Sequence, residues 1–332
     1  MENTKTDIPK KSPRVLSGIQ PSGSLHLGNY FGMMKRMIKY QEDYDLYCFI
    51  ANYHALTTNP SKENLKKNTF NAVCDFLALG MDPEKSTFWL QSDVPQVTEL
   101  TWILSPIVGT GMMDRSTSYK DKISQGIKSN MGLYSYPILM ASDILCFDTQ
   151  IVPVGKDQKQ HLEITRDIAT RFNNIYSKVF IVPEPEIEKE RQLIPGIDGE
   201  KMSKSYENTI PIFSSEKEIR KKIMSIITDN APVDEPKNKN NALFKIFSLF
   251  LDDSGLVDLK NRYDLPGLRY GDLKVELFEL VMDYFEPFRK KREFYKNNPK
   301  EINEILKYGS EKAGEIADNV IDRVRSAIGL KV

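Results

Sequence analysis

The stretch SGIQPSGSLHLGNYFG, Ser17–Gly32, decides the fold of this 332-residue chain. It holds four glycines and one of only three histidines, between an apolar strand that begins at Val15–Leu16 and a helical pattern over Tyr30–Tyr40. Glycines permit close backbone approach, and the free N–H groups at a helix start favour an anion. We therefore expect a strand–loop–helix turn that binds phosphate, with His26 and Asn29 as side-chain donors. A tight turn shaped only by its glycines is the alternative.

Short apolar segments alternate with longer amphipathic ones on both sides of this stretch. The further segments predicted as strands are Asp45–Asn52, Ser86–Gln91 and Thr149–Gly155. The helical patterns between them cover Lys62–Leu79, Thr98–Ile107 and Tyr136–Leu145. Such alternation predicts an α/β fold whose parallel sheet is covered on both faces.

The character of the chain changes after about Ser205, where every long pattern is helical. We therefore predict a flexible N-terminal tail over 1–13, a Rossmann-like parallel-sheet catalytic domain over 14–205 and an all-α domain over 206–332.

The composition excludes several classes of protein. Cys48, Cys74 and Cys146 are isolated in apolar contexts and form no C-x-x-C pair, so they indicate buried thiols rather than a disulfide framework or a metal cluster. The formal net charge of +0 argues against a nucleic-acid binder that uses its whole surface, but not against a local basic patch. The tail has no apolar signal-peptide core and no run spans a membrane, so we expect a cytoplasmic protein.

A second motif, GEKMSKSYENT at Gly199–Thr209, carries Lys201 and Lys204 with hydroxyls at Ser203 and Ser205. A loop with two cations and two hydroxyls can close over a triphosphate and neutralise a departing pyrophosphate. A solvated lysine loop is the alternative.

The two motifs together resemble those of the class I aminoacyl-tRNA synthetases, with Asn29 in the last place of the first motif and the second unaltered at Lys201–Ser205. Three further stretches, at Ser17–Gly23, Tyr136–Leu145 and Val152–Asn173, resemble the tryptophanyl-tRNA synthetases. The resemblance implies activation of L-tryptophan with ATP to tryptophanyl-adenylate and pyrophosphate. Transfer to the 3′-terminal adenosine of tRNA(Trp) and release of AMP follow.

Three alternatives to this function stay open. A tyrosyl-specific enzyme shares the fold and both ATP motifs, a nucleotidylyltransferase shares the first motif, and an inactive paralogue would only bind RNA. Met140 and the string KDQKQH beginning at Lys156 favour tryptophan over tyrosine.

An indole side chain has one N–H donor and no acceptor, so its pocket needs apolar walls and one hydrogen-bond acceptor, and the helix predicted over Tyr136–Leu145 can supply both. Tyr136, Met140 and Asp143 fall at i, i+4 and i+7 and share one face, so Asp143 could accept the indole N–H. A helix-surface aspartate is the alternative. The resemblance adds the remaining tryptophan-binding residues, His54, Val152, Val154 and Gln158.

The resemblance also implies an ATP-binding set and a catalytic set. The catalytic residues are His26, Asn29, Lys122, Lys201 and Lys204. The ATP contacts are Gln20, Pro21, Ser22, Gly28, Asn29, Gly155, Lys156, Asp157, Leu193, Lys201, Met202, Ser203, Lys204 and Ser205. Mg²⁺ is expected to accompany ATP, with no metal site in the protein itself.

The resemblance implies that the helical domain reads the tRNA anticodon and that the enzyme is a homodimer. Two basic clusters, Arg220–Lys222 and Arg289–Arg292, are candidates for RNA contact. Each is equally consistent with a solvated helix face.

Overall fold

The computed structural model describes residues 12–21, 23–124, 126, 128–155, 158–187 and 193–331, and within them it leaves out the side chains of residues 117, 118, 121, 122 and 187.

A five-stranded parallel sheet forms the centre of the described structure, in the order β3-β2-β1-β4-β5. The strands are β1 Arg14–Ile19, β2 Asp45–Ile50, β3 Thr87–Leu90, β4 Ile151–Val154 and β5 Glu184–Ile187. The first four match the predicted segments, and β5, whose sequence is the polar EPEI, was not predicted. The chain reverses its direction across the sheet between β1 and β4, and ligands of open α/β sheets bind at such a switch point.

Helices cover the sheet as the alternation predicted. The helix after β1 has three parts: α1 over Leu27–Asn29, a π-helical turn over Tyr30–Met34, and α2 over Lys35–Asp43. The others before residue 206 are α3 Asn52–Ala55, α4 Lys62–Ala78, α5 Gln96–Leu104, α6 Thr110–Asp114, α7 Thr117–Ser124, α8 Met131–Leu145 and α9 Lys159–Ile175.

The described residues after 206 form five α-helices: α10 Glu216–Met224, α11 Ala242–Ser248, α12 Asp253–Asp264, α13 Tyr270–Asn297 and α14 Pro299–Ile328. Side-chain caps begin three of them. Ser215 accepts from the Glu218 N–H, Asn241 from that of Phe244 and Asp252 from that of Gly255. Each cap satisfies a backbone donor that the first helical turn leaves unpaired.

The last two helices pack directly against the α/β part, α13 on α4 and α14 on β3. The contact at β3 is so close that a Cβ at Gly309 would lie 1.9 Å from the carbonyl oxygen of Phe88. Apolar residues of α14, Ala313, Ala317 and Val320, are buried in the same core as Trp89 of β3. The domain boundary at 205/206 stays a prediction.

All three cysteines are buried and unbridged, as predicted. Burial raises the pKa of the Cys74 thiol to about 11, so it stays protonated at neutral pH. Among the described helices, none is long and apolar enough to cross a membrane.

Candidate active site

Two neighbouring cavities lie where β1 and β4 end, at the switch point. The first, which we call the apolar cavity, has a volume of about 420 Å³. It is lined by all seven residues that were predicted to bind tryptophan: His54, Tyr136, Met140, Asp143, Val152, Val154 and Gln158. The sequence therefore predicted correctly that these residues converge, from α3, α8, β4 and the start of α9.

The second cavity, which we call the cationic cavity, has a volume of about 340 Å³. Both predicted motifs line it: the first contributes His26, Gly28 and Asn29, and the second contributes residues 201–204. Met33, in the π-helical turn, lines both cavities, so the two lie side by side.

Asp143 is buried in the wall of the apolar cavity, so the alternative of a helix-surface aspartate is wrong. Its carboxylate accepts hydrogen bonds from Gln91 Nε2, at 2.7 Å and 2.9 Å, and lies 2.8 Å from His54 Nε2. Burial raises the pKa of Asp143, and the hydrogen bonds from His54 and Gln91 oppose that rise. The two neighbours therefore hold the carboxylate in one orientation in the wall of the cavity.

Gln91 is the residue of this cluster that the sequence analysis missed. Its Nε2 is committed to Asp143, and its Oε1 accepts from the backbone N–H groups of Tyr53 at 3.0 Å and His54 at 3.4 Å. Gln91 thus ties α3 to α8. A signal was present, because Gln91 directly follows the apolar strand β3, and polar residues at that position face the switch-point edge of a parallel sheet.

Tyr136 extends from α8 into the cavity wall, and contacts with two histidines fix the orientation of its side chain. Its hydroxyl hydrogen-bonds His161 Nε2 at 2.6 Å, and its ring lies edge-on to the His54 ring at a centroid distance of 5.6 Å. Phe49 adds an aromatic wall, for which Gly18 leaves room: a Cβ there would lie 2.4 Å from the Phe49 ring.

His26 caps the first helical turn at the cationic cavity. It is buried, and its backbone N–H donates to Asn29 Oδ1 at 3.2 Å. Burial, and then the charge of Lys204, lower the pKa of His26 to about 4. The imidazole is therefore neutral at pH 7, so one of its nitrogens donates and the other accepts.

The two motifs contact each other directly. The Gly28 N–H donates to Met202 Sδ at 3.2 Å, and Leu27 N–H donates to the Ile210 carbonyl at 3.0 Å. Burial lowers the pKa of Lys204, and the Asp75 carboxylate opposes that effect. The second motif therefore packs on the first through the buried Met202, whereas Lys201 and Lys204 are exposed at the cavity.

The other predicted ATP residues fall in different places. Gln20 and Gly155 line the apolar cavity rather than the cationic one. Leu193 is 67% exposed at the rim of the cationic cavity. Pro21 and Ser205 line neither cavity. Ser22, Lys156, Asp157 and the side chain of Lys122 lie outside the described residues.

The basic cluster at Arg289–Arg292 is not a simple solvated face. Arg289 donates to the carbonyls of Ser214 at 3.1 Å and Ile212 at 2.5 Å. Arg292 pairs with the buried Asp75. Arg289 therefore holds α13 against the chain that follows the second motif, and Arg292 holds it against α4. The more exposed cations of the run are Lys290 and Lys291.

Comparison with known proteins gives one consistent family. The model of the family described as tRNA synthetases class I (W and Y) matches residues 9–326. The tryptophan–tRNA ligase of Campylobacter jejuni (strain RM1221) is 51% identical over 318 residues, which are 96% of this chain and 100% of the relative. That of Fusobacterium nucleatum is 50% identical, over 96% of this chain and 98% of the relative. The crystal structure of the C. jejuni tryptophanyl-tRNA synthetase complexed with ADP and tryptophan superposes with a TM-score of 0.92 at 50% identity, covering 95% of this chain and 99% of that one.

Proposed function

Because the chain belongs to the class I tRNA synthetases for tryptophan and tyrosine, we infer that it is a tryptophan–tRNA ligase. It activates L-tryptophan with ATP to tryptophanyl-adenylate and pyrophosphate, then transfers tryptophan to the 3′-terminal adenosine of tRNA(Trp) and releases AMP. The observation that carries this function is the buried Asp143 carboxylate, in a cavity otherwise suited to an indole, beside a cavity lined by lysines.

Asp143 is proposed as the acceptor of the indole N–H. An ionised carboxylate offers about four lone-pair positions, and the contacts with Gln91 and His54 use three of them. An indole N–H completes the set, whereas a phenyl side chain leaves one position of a buried carboxylate empty. Sites built in this way reject a substrate that lacks the hydrogen-bonding group. Met140, Val152 and Val154 supply the apolar surface for the ring.

The amino-acid carboxylate is the nucleophile of the first step, so no protein nucleophile is required. It attacks the α-phosphorus of ATP in line, and pyrophosphate leaves. We assign to Lys201 and Lys204 the neutralisation of the negative charge that develops on the departing group. His26 and Asn29 are assigned to hold the phosphates at the start of α1. The protein otherwise contributes position, since the two cavities place the reacting groups side by side.

The remaining ATP contacts are proposals of the same kind. Leu193 at the rim of the cationic cavity suits an adenine ring, and the turn beginning at Gly155 suits the ribose. Mg²⁺ is proposed to enter as part of the MgATP substrate. Within the described residues, no three His, Cys, Asp or Glu side chains converge to hold an ion, and Mg²⁺ commonly binds through phosphates and water.

We propose that the helical region over 206–332 binds the tRNA anticodon and that the enzyme works in the cytoplasm. Arg220 and Lys221 on α10, with Lys290 and Lys291 on α13, are the exposed cations of the two basic clusters. They are the candidates for phosphate contact, since Arg289 and Arg292 are engaged within the protein.

A homodimer is proposed through an exposed apolar face beside the apolar cavity. Trp102 and Met131 are each 75% exposed, and Leu56 and Met131 line a groove of about 470 Å³. Exposed large apolar side chains of this kind mark interaction sites. Tyr136 and Thr57 line both the groove and the apolar cavity, so a second copy on this face would support the tryptophan site from behind. Sedimentation velocity should give a dimer that Trp102→Glu weakens.

The function is tested by transfer of radiolabelled tryptophan to tRNA(Trp) in the presence of MgATP. Acid-stable charging of that tRNA, with none of tRNA(Tyr), is the expected result. A folded protein that charges neither tRNA would refute the function.

A further inference from the structure

Asn208 lies near the end of the second motif, after Lys201–Ser205, and is only 2% exposed. Both the oxygen and the nitrogen of its carboxamide make hydrogen bonds. Oδ1 accepts from the Ser203 N–H at 2.8 Å, and Nδ2 donates to the Lys201 carbonyl at 3.0 Å. Nδ2 also donates to both carboxylate oxygens of Asp198, at 2.9 Å and 3.1 Å. One buried side chain thus contacts the motif backbone at two points and an acidic residue before the motif.

The chain around Asn208 leaves no room for another arrangement. A Cβ at Gly196 would lie 2.4 Å from both Cγ and Nδ2 of Asn208, so the close approach requires glycine. The Asn208 carbonyl accepts from Ile197 N–H at 3.0 Å. Asp198 Oδ1 accepts in addition from Glu200 N–H at 3.0 Å, which holds the carboxylate in place for the amide.

The two backbone contacts flank Met202, the residue that joins the two motifs. Met202 N–H donates to the Ile194 carbonyl at 2.9 Å, and its Sδ accepts from Gly28. Asn208 therefore holds the backbone on either side of this contact. It lines neither the cationic cavity nor the apolar one.

We propose that Asn208 is a positioning residue, whose carboxamide holds the backbone of Lys201 and Ser203 so that Lys201 and Lys204 face the cationic cavity. This inference rests on the proposed function, since the two lysines serve the departing pyrophosphate. Asn208 touches no substrate and acts only through the loop.

Loss of the Asn208 carboxamide should therefore impair the use of ATP and leave the binding of tryptophan unchanged. Displacing catalytic groups by about 1 Å costs on the order of 100-fold in rate, so loss of the carboxamide should lower kcat/KM for ATP by about 10- to 100-fold. The KM for tryptophan should stay within about twofold, because the apolar cavity contains no contact with Asn208. A defect of general folding would affect both substrates.

The test is tryptophan-dependent pyrophosphate exchange with Asn208→Asp, which is isosteric but loses the donor and sets two carboxylates against each other. A second variant exchanges the partners, Asp198→Asn with Asn208→Asp, and restores a donor–acceptor pair between the two positions. We expect the single variant to be defective in ATP use and the exchanged pair to recover part of the loss. Thermal melting checks folding, and the exchanged pair carries the test if the single variant melts below the assay temperature.

Asn173 provides the matched control. It lies near the end of α9, where its Nδ2 donates to the Phe180 carbonyl and its Oδ1 accepts from two backbone N–H groups, and it lines neither cavity. Asn173→Asp should lower the melting temperature and leave both KM values unchanged. If wild-type enzyme is active while Asn208→Asp keeps its kcat/KM for ATP, the inference alone is overturned. If wild-type enzyme shows no exchange, the proposed function is overturned and the inference with it.

Discussion

Replacing Gln91 by leucine removes the donor that holds Asp143 and should weaken both tryptophan use and folding stability. The wild-type amide makes contacts of 2.7 Å and 2.9 Å to a buried carboxylate. A hydrogen bond to a charged group contributes about 1.5–3 kcal/mol. We therefore expect the free energy of unfolding at pH 7.5 to fall by about that amount. If the loss appears equally in binding, the KM for tryptophan rises by roughly 10- to 100-fold, since 1.4 kcal/mol corresponds to a factor of ten.

The pH dependence of this loss follows from the pKa of Asp143, which burial raises above its usual value. A carboxyl group with a raised folded-state pKa is most stabilising below its unfolded-state pKa and loses that stabilisation as the pH rises through the folded-state value. Removing Gln91 takes away a group that opposes the rise. The difference in unfolding free energy between wild type and Gln91→Leu should therefore be large at pH 7.5 and shrink as Asp143 is protonated at lower pH.

The measurement combines urea unfolding at several pH values with pyrophosphate exchange. Gln96→Leu is the matched control, because Gln96 Nε2 also donates to a carboxylate, Asp318, but at the surface and 2.6 Å away. That variant should change stability by less than about 1 kcal/mol and leave both KM values alone. A Gln91→Leu enzyme with wild-type stability and an unchanged KM for tryptophan would refute the role given to the buried carboxylate.

Three other changes have defined outcomes. The pKa of His26 is lowered to about 4, so the neutral imidazole contributes its full stabilisation above about pH 6.5 and loses it as the pH falls toward 4. Urea unfolding should show that the difference in unfolding free energy between wild type and His26→Gln changes by about 2 kcal/mol in that window. Lys201→Ala should lower the single-turnover rate of adenylate formation by about 100-fold in rapid-quench experiments, with equilibrium binding of tryptophan unchanged. Gly309→Ala should lower the free energy of unfolding by at least about 1–3 kcal/mol, because the added Cβ would overlap the Phe88 carbonyl. At Gly314 on the same helix an added Cβ meets no atom within 4 Å, so Gly314→Ala should raise the free energy of unfolding.

The residues predicted to bind tryptophan converge in the structure, and the positions of several of them follow from local rules. Val152 and Val154 lie on the strand β4, and Tyr136, Met140 and Asp143 repeat at helical spacing along α8. The family resemblance supplied the roles of His54, Val152, Val154 and Gln158. The structure then brings the seven residues together through the parallel order of the sheet.

What the sequence did not predict depends on contacts between distant segments. Gln91 and Asp143 are 52 residues apart, and the bond between them arises only when β3 and α8 meet. Arg292 pairs with Asp75, 217 residues away, so a run of cations contains members that are engaged within the protein. The strand β5 was missed because its residues Glu184, Pro185, Glu186 and Ile187 lack the apolar character of a buried strand, which an edge position does not require.

The most direct test of tryptophan activation by this enzyme is amino-acid-dependent exchange of pyrophosphate into ATP, measured with tryptophan, tyrosine and phenylalanine in parallel. We expect exchange with tryptophan alone. The indole N–H can donate to Asp143, and Met140, which lines the cavity with Val152 and Val154, suits the face of an indole better than a phenol. Phenylalanine should give none, since it leaves the carboxylate without its last partner. Exchange with tyrosine equal to that with tryptophan would contradict the assignment of the apolar cavity to indole.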